Sequence, residues 1–272
     1  MYITVRRMTL VLFCDYGLDG AAATVDALMH SQEDGYQEVV LVAIGGCVPP
    51  TISLRNAIRL VSGCNFSHSP VTIVDTTQEE QPFEFLTNVQ GGDGMGNLFE
   101  DGPFHAKVVP FDRWLNAFSG GYRLLSLGPL TLVIKLLQKC APEQFVFLGG
   151  NIAAEPNFHG CEFNQALDPA AFQEAVKYPH AAVTLDSCQS RFLKIAHEEI
   201  GGQSLFKRIV SRARELALMS GKKEVCLSGD IALKLLRHPN WFLLRYGEDE
   251  EGNGLTYAEY VHGEEYLKVL EI

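Results

Sequence analysis

The sequence T-L-V-L-F-C-D-Y-G-L-D-G-A-A-A-T-V-D-A-L, residues Thr9–Leu28, decides how the rest of the chain is interpreted. Its apolar run Leu10–Cys14 has the length and composition of a buried strand, and the alanine-rich segment after Gly17 has the pattern of a helix. Two carboxylates, Asp15 and Asp19, occupy the turn between them. Open α/β sheets bind ligands where a strand ends and the next helix begins, so the stretch predicts a site at this turn.

Two acidic groups at such a turn suit a hard cation or the hydroxyls of a sugar, and they would repel a phosphate. The structural alternative is that Asp15 is only a turn residue and that Asp19 caps the helix. A strand followed directly by aspartate also opens the aspartate-nucleophile phosphatases. Those enzymes need a D-x-D pattern with a threonine soon after, which Tyr16 and Gly17 do not provide.

Composition excludes several classes of protein. The 272 residues are 47% apolar and 20% charged, with a formal net charge of −11, which argues against a nucleic-acid or anionic-membrane surface. The seven cysteines stand singly and form no C-x-x-C pair, which favours reduced thiols in the cytoplasm. The first apolar run is interrupted at Asp15 and is too short for a signal or a membrane span.

Apolar runs of strand length alternate with segments of helical period along the chain. Strands are predicted at 10–14, 39–44, 71–74, 122–127, 145–148 and 181–185, and helices at 53–61, 111–118, 130–138, 168–176, 205–219 and 230–236. This alternation predicts one α/β domain over residues 1–272, with a mainly parallel central sheet and helices on both faces. Thr76–Pro110 lacks a regular period and is predicted to be a mobile cover, and a polar hairpin is predicted around Gly247–Val261.

The opening stretch resembles the N-terminal signature D-x-D-P-G-x-D-D-A of the inosine–uridine nucleoside hydrolases. In that family the second aspartate binds calcium and deprotonates the attacking water, and the third contacts the ribose. The resemblance gives these roles to Asp15 and Asp19. Phe13 and Gly20 stand where the first and fourth aspartates would be, and the fourth is a bidentate calcium ligand.

Two glycine-containing motifs extend the resemblance. V-Q-G-G-D-G-M-G at 89–96 resembles the family's H-G-x-D-G-L-G loop, with Gln90 in place of histidine. S-L-G-P-L-T-L at 126–132 resembles G-P-L-T-N, whose threonine carbonyl binds calcium, so Thr131 is the implied ligand. Asn56 matches an N-A pair of the family, whereas the ribose-binding asparagine ten residues earlier is Gly46 here. A glycine turn and an ordinary strand-to-helix turn are the structural alternatives.

The segment G-C-E-F-N at 160–164, followed by D-P at 168–169, resembles the family's A-E-F-N-x-x-x-D-P. There the glutamate and asparagine hold ribose hydroxyls, which implies Glu162 and Asn164. Asn157 corresponds to a further family asparagine, although the spacing is one residue short. A carboxylate and an amide together suit hydroxyl groups, which both donate and accept hydrogen bonds. The alternative is hydrogen bonding within the loop.

Gly229-Asp230-Ile231-Ala232-Leu233 resembles the family's H-D-P-L-A. Its aspartate binds calcium and ribose, so Asp230 inherits both roles, whereas the histidine that protonates the leaving base is Gly229. As an alternative, Asp230 could simply cap the following helix. The resemblance then covers residues 10–236, nearly the whole chain.

The implied function is hydrolysis of the N-glycosidic bond of a nucleoside or related ribosyl compound by metal-activated water. Asp15 is the catalytic base, and Asp19, Asn157, Glu162, Asn164 and Asp230 bind the substrate. Calcium would be held by Asp15, Asp230 and the Thr131 carbonyl. Calcium takes six to eight oxygens, so loss of the bidentate ligand at Gly20 predicts weak or absent calcium binding.

The expected partner is a small ribosyl ligand, with no nucleic acid, no membrane and a possible homo-oligomer. Protonation of the leaving base lacks the family's histidine, and the substitutes considered are His159, Tyr16, His105 and Trp241. The departures also leave open a protein of the same fold that binds a ribosyl ligand without turning it over.

Overall fold

Nine strands form the central sheet of the computed structural model, which describes residues 8–64, 69–99, 106–195, 204–263 and 265–270. The sheet order is β10-β11-β7-β6-β5-β1-β2-β3-β4, and neighbours are parallel except β10 and β11. The short β8 and β9 pair separately. The strands are β1 (Met8–Cys14), β2 (Tyr36–Ala43), β3 (Val71–Asp75), β4 (Val108–Pro110), β5 (Gly121–Ser126), β6 (Gln144–Leu148), β7 (Ala181–Val183), β8 (Lys194–Ile195), β9 (Val225–Cys226), β10 (Phe242–Glu248) and β11 (Gly254–Tyr260).

Helices cover both faces of this sheet, which confirms the predicted architecture. Alternate side chains of β1 enter different cores: Leu12 packs with α1, α8 and α9, and Phe13 packs with α4, α5 and α7. β1 is therefore buried on both faces, which explains its uninterrupted apolar sequence. The helices are α1 (Leu18–His30), α2 (Pro50–Gly63), α3 (Thr87–Gln90), α4 (Phe111–Ala117), α5 (Thr131–Lys139), α6 (Phe163–Leu167), α7 (Pro169–Ala175), α8 (Leu205–Met219), α9 (Ser228–Arg237) and α10 (Glu265–Leu270).

Some predicted boundaries were wrong. The stretch Thr76–Pro110, taken to be irregular, contains α3 and the edge strand β4, although its residues 100–105 lie outside the described part. Helix α9 begins at Ser228, so Asp230 lies inside its first turn and is not the cap. In the described chain, no helix is both long and apolar enough to cross a bilayer. The assignment of residues 1–272 to one domain stays a prediction.

The parallel strands bring four connections to one edge of the sheet. The segment after β2 joins β1 through a hydrogen bond from the Ile44 backbone N–H to the Cys14 carbonyl, 3.0 Å long. The segment after β5 joins it through a 2.8 Å bond from the Leu127 N–H to the Phe13 carbonyl. Asp15 follows β1 at this edge, and the loop after β6 leads to Glu162. Ligand sites of open α/β sheets lie at this edge.

Candidate active site

Asp15 lies in a tight backbone cradle at the end of β1. Its Oδ2 accepts a 2.6 Å hydrogen bond from the Cys47 backbone N–H, and Oδ1 accepts a longer one, 3.4 Å, from the Gly17 N–H. A Cβ at Gly46 would stand only 2.3 Å from Oδ2, so the carboxylate occupies the space that a side chain at 46 would need. The family's asparagine is therefore incompatible here with this position of the aspartate.

Burial sets the proton affinity of Asp15. The side chain is 5% exposed, and desolvation raises its pKa to about 6, against the lowering effect of the Cys47 N–H and with a further rise caused by Asp19. A carboxyl group that titrates near neutral pH is suited to accept and release a proton there.

Asp19 joins the first turns of two helices that are far apart in the sequence. Its Oδ2 accepts a 2.8 Å hydrogen bond from the Ser228 hydroxyl at the start of α9. A Cβ at Gly229 would stand 3.1 Å from the Asp19 carbonyl oxygen. Glycine at 229, where the family has histidine, thus permits the close approach of α1 and α9.

Glu162 and Asn164 make the loop hydrogen bonds that the structural alternative expected. Glu162 caps α6, and its Oε2 accepts hydrogen bonds from the backbone N–H groups of Gln165, 3.0 Å, and Gly150, 3.3 Å. Asn164 donates from Nδ2 to the Leu148 carbonyl, 3.1 Å. Burial raises the pKa of Glu162 to about 7, and the negative charge of Asp19 adds a smaller rise. The two carboxylates therefore repel each other electrostatically.

A cavity of about 700 Å³ adjoins these groups. Of the predicted residues, Asp19 and Asn157 line it, together with Gln90 and Ser228. Asp15, Glu162, Asn164 and Asp230 are buried and are not among the residues that line it. The apolar part of the wall, with two thiols, is formed by Leu18, Val89, Leu185, Cys188, Ala213, Leu216, Ala217, Val225, Cys226 and Leu227, and its remaining polar and charged residues are Lys194, Ser220, Lys222, Lys223 and Glu224.

Gln90 has a structural role that its sequence motif did not predict. Its Oε1 accepts a 3.0 Å hydrogen bond from the Leu18 N–H and so satisfies a donor at the start of α1, where the capping residue is Gly17. The glycine loop after it is held by Asp93, whose Oδ1 accepts from the Met95 and Asn97 N–H groups. The loop is therefore fixed to the N-terminal end of α1.

The side chains of Thr131 and Asp230, the other two residues implied to bind calcium, contact protein groups. Thr131 donates from Oγ1 to Asp168 Oδ2 at 2.6 Å, which ties the start of α5 to the start of α7. Asp230 is fully buried, with Oδ1 3.8 Å from Lys234 Nζ, and its other polar neighbour is the buried Tyr266 hydroxyl, which lowers its pKa. Burial raises the pKa of Asp230 to about 6, although Lys234 opposes the rise.

The donor groups do not fit a resident calcium ion. A Cβ at Gly20 would lie 4.0 Å from Asp15 Oδ1, the expected direction for a shared ligand, but only 2.4 Å from Cys14 Sγ. The carboxylates of Asp26, Asp75 and Asp93 do not replace the missing one, because they are used in ion pairs or turns. In the described ranges, no three His, Cys, Asp or Glu side chains converge as metal ligands do. Two carboxylates, one of them facing an ammonium group, are too few.

Three of the four proposed proton donors lie in the described residues, and their surroundings can be stated. Tyr16 is fully buried at a positive φ of 51°, and Asn56 holds its carbonyl at 3.3 Å. His159 is exposed beside the Phe158 ring, and Trp241 stacks on His238. None of these three described residues lines the cavity. His105 lies outside the described residues.

Known proteins share this sequence pattern and fold. A family model described as "Inosine-uridine preferring nucleoside hydrolase" matches residues 10–242. The structure is similar to a purine-preferring ribonucleoside hydrolase from Gardnerella vaginalis, with a TM-score of 0.75 and 17% identity over 97% of this chain and 96% of that chain. It is also similar to a plant nucleoside hydrolase, with a TM-score of 0.74 and 16% identity over 97% of this chain and 97% of that chain. An inosine-uridine preferring nucleoside hydrolase from Bacillus anthracis is similar too, with a TM-score of 0.67 and 15% identity over 97% of this chain and 99% of that chain. No curated protein matches the chain.

Proposed function

The chain belongs to the inosine-uridine preferring nucleoside hydrolase family, and from that premise we propose that it cleaves the N-glycosidic bond of a ribonucleoside or a related ribosyl compound. Membership places it among hydrolases that act on N-glycosyl bonds. The observation that carries the proposal is the cradle of Asp15: a buried carboxyl group with a pKa of about 6 at the carboxyl end of β1.

In the proposed step, Asp15 accepts a proton from a water molecule. The water oxygen forms a bond to the anomeric carbon while the N-glycosidic bond breaks, and the electron pair of that bond leaves with the base. Positive charge develops on the sugar ring, and nearby carboxylates stabilise it electrostatically. Asp19, closest to the cavity, is the carboxylate proposed for that role.

Hydroxyl groups of the ribose are proposed to bind Asp19, Asn157, Glu162, Asn164 and Asp230. Asp19 and Asn157 support this assignment because both line the same cavity. Glu162 and Asn164 already satisfy backbone groups, so they would contribute through their remaining oxygens and hold the loop in place.

Departure of the base sets a limit on the substrate. Since the described side chains that line the cavity include no histidine, the base is proposed to leave as a stabilised anion and to take its proton from solvent. This favours nucleosides whose base is a good leaving group. The proposed location is the cytoplasm, which all seven free thiols support, and association into a homo-oligomer stays a prediction.

The proposed step needs no resident calcium ion, because the donor set does not fit one. Any calcium taken up from solution is proposed to lie near Asp15, Asp230 and the Thr131 carbonyl and to bind weakly. Such an ion would supply charge that lowers the pKa of a bound water.

The test is release of free base from inosine, uridine, adenosine and cytidine, followed by ultraviolet absorbance, with and without added calcium chloride. We expect turnover of at least one nucleoside, and a faster rate with millimolar calcium. Tight binding of a nucleoside without release of base would instead identify a ribosyl-binding protein that has lost catalysis.

A further inference from the structure

The outer part of the cavity carries positive charge, although the chain as a whole has a net charge of −11. Lys194, Lys222 and Lys223 line the same cavity as Asp19 and Asn157. Among the described lining residues, the carboxylates are Glu224, next to Lys223 in the sequence, and Asp19. We refer to the three lysines as the lysine rim.

The small second sheet positions the lysine rim. Lys194 lies in β8 opposite Cys226 of β9, and Lys222 and Lys223 lie in the connection between α8 and β9. That connection is fixed to α8 by a 2.9 Å hydrogen bond from the Lys222 N–H to the Ala217 carbonyl. Lys222 and Lys223 are exposed and Lys194 is half-buried, so the charge lies at the mouth of the cavity.

The interior of the site has the opposite charge character. The acids there, Asp15 and Glu162, are 5% and 4% exposed, and neither lines the cavity directly. The site thus changes from acidic at its buried end to basic at its mouth. A ligand that matches this gradient is uncharged and rich in hydroxyls at one end and anionic at the other.

Two of these lysines differ from lysines elsewhere on the surface. Lys135, Lys177 and Lys268 hold carboxylates at 2.7, 2.5 and 3.0 Å. Lys194 and Lys223 have no carboxylate oxygen within 4.0 Å in the described ranges. Ammonium groups that converge on one cavity without such partners repel each other, and an anion placed between them removes that repulsion.

We propose that the natural ligand is a ribonucleoside phosphate, with its sugar at the Asp19 and Asn157 end and its phosphate on the lysine rim. This inference rests on the proposed function and specifies its substrate class. The cavity, at about 700 Å³, lies in the upper half of the range of roughly 300–1,000 Å³ for small-molecule sites, so it has room for a phosphate beyond the nucleoside. The carboxylates at the β1 turn repel phosphate. Binding of the phosphate to the lysine rim keeps it away from these carboxylates.

The test compares uridine with uridine 5′-monophosphate, and inosine with inosine 5′-monophosphate. Dissociation constants are measured by calorimetry in the Asp15→Asn background, so that the ligand is not consumed. If that variant does not fold, the ratio of kcat/KM values in the unmutated background replaces the ratio of dissociation constants. We expect the monophosphate to bind about tenfold more tightly than its nucleoside, from two partly exposed ion pairs, and less so as potassium chloride is raised.

The variant Lys194→Ala/Lys223→Ala should reduce this ratio to about one. Its matched control, Lys135→Ala/Lys177→Ala, removes the same charge outside the cavity and should keep the ratio. A ratio near one in the parent protein, or an unchanged ratio in Lys194→Ala/Lys223→Ala, would overturn the inference while nucleoside binding leaves the proposed function intact. Preference for orotidine, whose base carries a carboxylate, over uridine monophosphate would also overturn it. Failure to bind or cleave either member of each pair would overturn both proposals.

Discussion

Helix α1 passes two groups of buried acids that are held in opposite ways. At its N-terminal end, Asp15 and Glu162 accept hydrogen bonds from backbone N–H groups, and no Lys, Arg or His of the described residues lies within 4.0 Å of them. Burial raises their pKa values to about 6 and about 7. These carboxyl groups can therefore bind and release a proton near neutral pH.

Further along α1, Asp26 lies at the centre of an ion cluster between α1 and α9. Its carboxylate meets Lys234 at 2.7 Å, Arg237 at 3.0 Å and His30 at 3.0 Å. Although burial opposes the change, the hydrogen bond from His30 and the charges of Lys234 and Arg237 lower the pKa of Asp26 far below its usual value. Asp34 completes this α1–α9 ion cluster through Arg237.

The difference teaches that burial alone does not decide whether an acid is charged. With cations in contact, a buried aspartate stays ionised and joins two helices, whereas without them it becomes a group that exchanges protons. Asp230 lies between the two cases. It faces Lys234 at 3.8 Å, yet its pKa is raised to about 6, because burial outweighs the more distant charge.

Removing the proton acceptor should have the largest effect. Asp15→Asn keeps an oxygen for the Cys47 N–H but cannot accept a proton, so we expect nucleoside hydrolysis to fall by roughly 10²–10⁴-fold. The matched control is Asp75→Asn, at the end of β3, whose Oδ1 accepts only from the Thr77 N–H of its own turn. Activity in Asp15→Asn within threefold of the parent would show that another group accepts the proton.

Breaking the ion cluster should cost stability. Lys234 is 1% exposed in its side chain, and Lys234→Met leaves Asp26 and Asp230 buried without its ammonium group, so we expect the free energy of unfolding to fall by about 3 kcal/mol. Arg237 still neutralises part of the charge on Asp26. Urea unfolding measures the loss, and the double variant Asp26→Leu/Lys234→Met should recover part of it, because no aspartate is left without its lysine at position 26 and Arg237 keeps Asp34 as a partner. No recovery in the double variant would mean that the lysine acts through Asp230 instead.

The two groups of acids should give opposite dependences of stability on pH. The pKa of Glu162 is raised from 4.5 to about 7, so between these values the unfolded carboxyl ionises while the folded one keeps its proton, and the free energy of unfolding falls as pH rises. Asp15 and Asp230 act in the same direction up to about pH 6. Asp26 acts in the opposite direction, and its contribution is lost as pH falls below about 4.

Glu162→Gln isolates one part of this profile. We expect it to remove up to about 3 kcal/mol of the decline between pH 4.5 and pH 7, a value that follows from 1.36 kcal/mol per pKa unit. Urea unfolding at a series of pH values provides the measurement, with Glu174→Gln, whose parent side chain is an exposed partner of Lys177, as the control. An unchanged slope in Glu162→Gln would assign the decline to other acids.

Restoring the missing carboxylate should have the smallest effect, and it needs two changes. In Gly20→Asp alone, the new Cβ would meet Cys14 Sγ at 2.4 Å, so we expect a loss of about 1–3 kcal/mol in stability and little gain in calcium affinity. Cys14→Ala/Gly20→Asp removes the obstructing sulfur and adds a ligand near Asp15. Calorimetry with calcium chloride should then show binding tighter by about tenfold than in Cys14→Ala, its matched control. No gain in the double variant would place the calcium ligands elsewhere.

The sequence by itself determined the parts of the fold that depend on local pattern. Apolar runs predicted β1 and its parallel neighbours, and Asp15 and Asp19 followed from the turn at the end of β1. The motifs predicted Glu162 and Asn164 as candidate site residues, and their resemblance to the family's motifs predicted the family, which the family model confirms. Each of these features is carried by a short stretch of consecutive residues, where periodicity and capping rules apply.

Only the tertiary structure decided which distant residues share a contact. Ser228 binds Asp19 across a separation of 209 residues, and Lys234 meets Asp26 across 208. Gly46 matters for the candidate site because the absence of a side chain there leaves room for the Asp15 carboxylate. The residues next to Gly46 in the sequence do not indicate this contact. The charges of the cavity were equally hidden, because the lysine rim and the acids come from segments that the sheet order brings together. Packing between segments far apart in the chain leaves no periodic pattern in the sequence. The sequence therefore predicted the secondary-structure elements and the edge of the sheet at which the proposed site lies. Only the fold decided which distant residues contact the residues of that site.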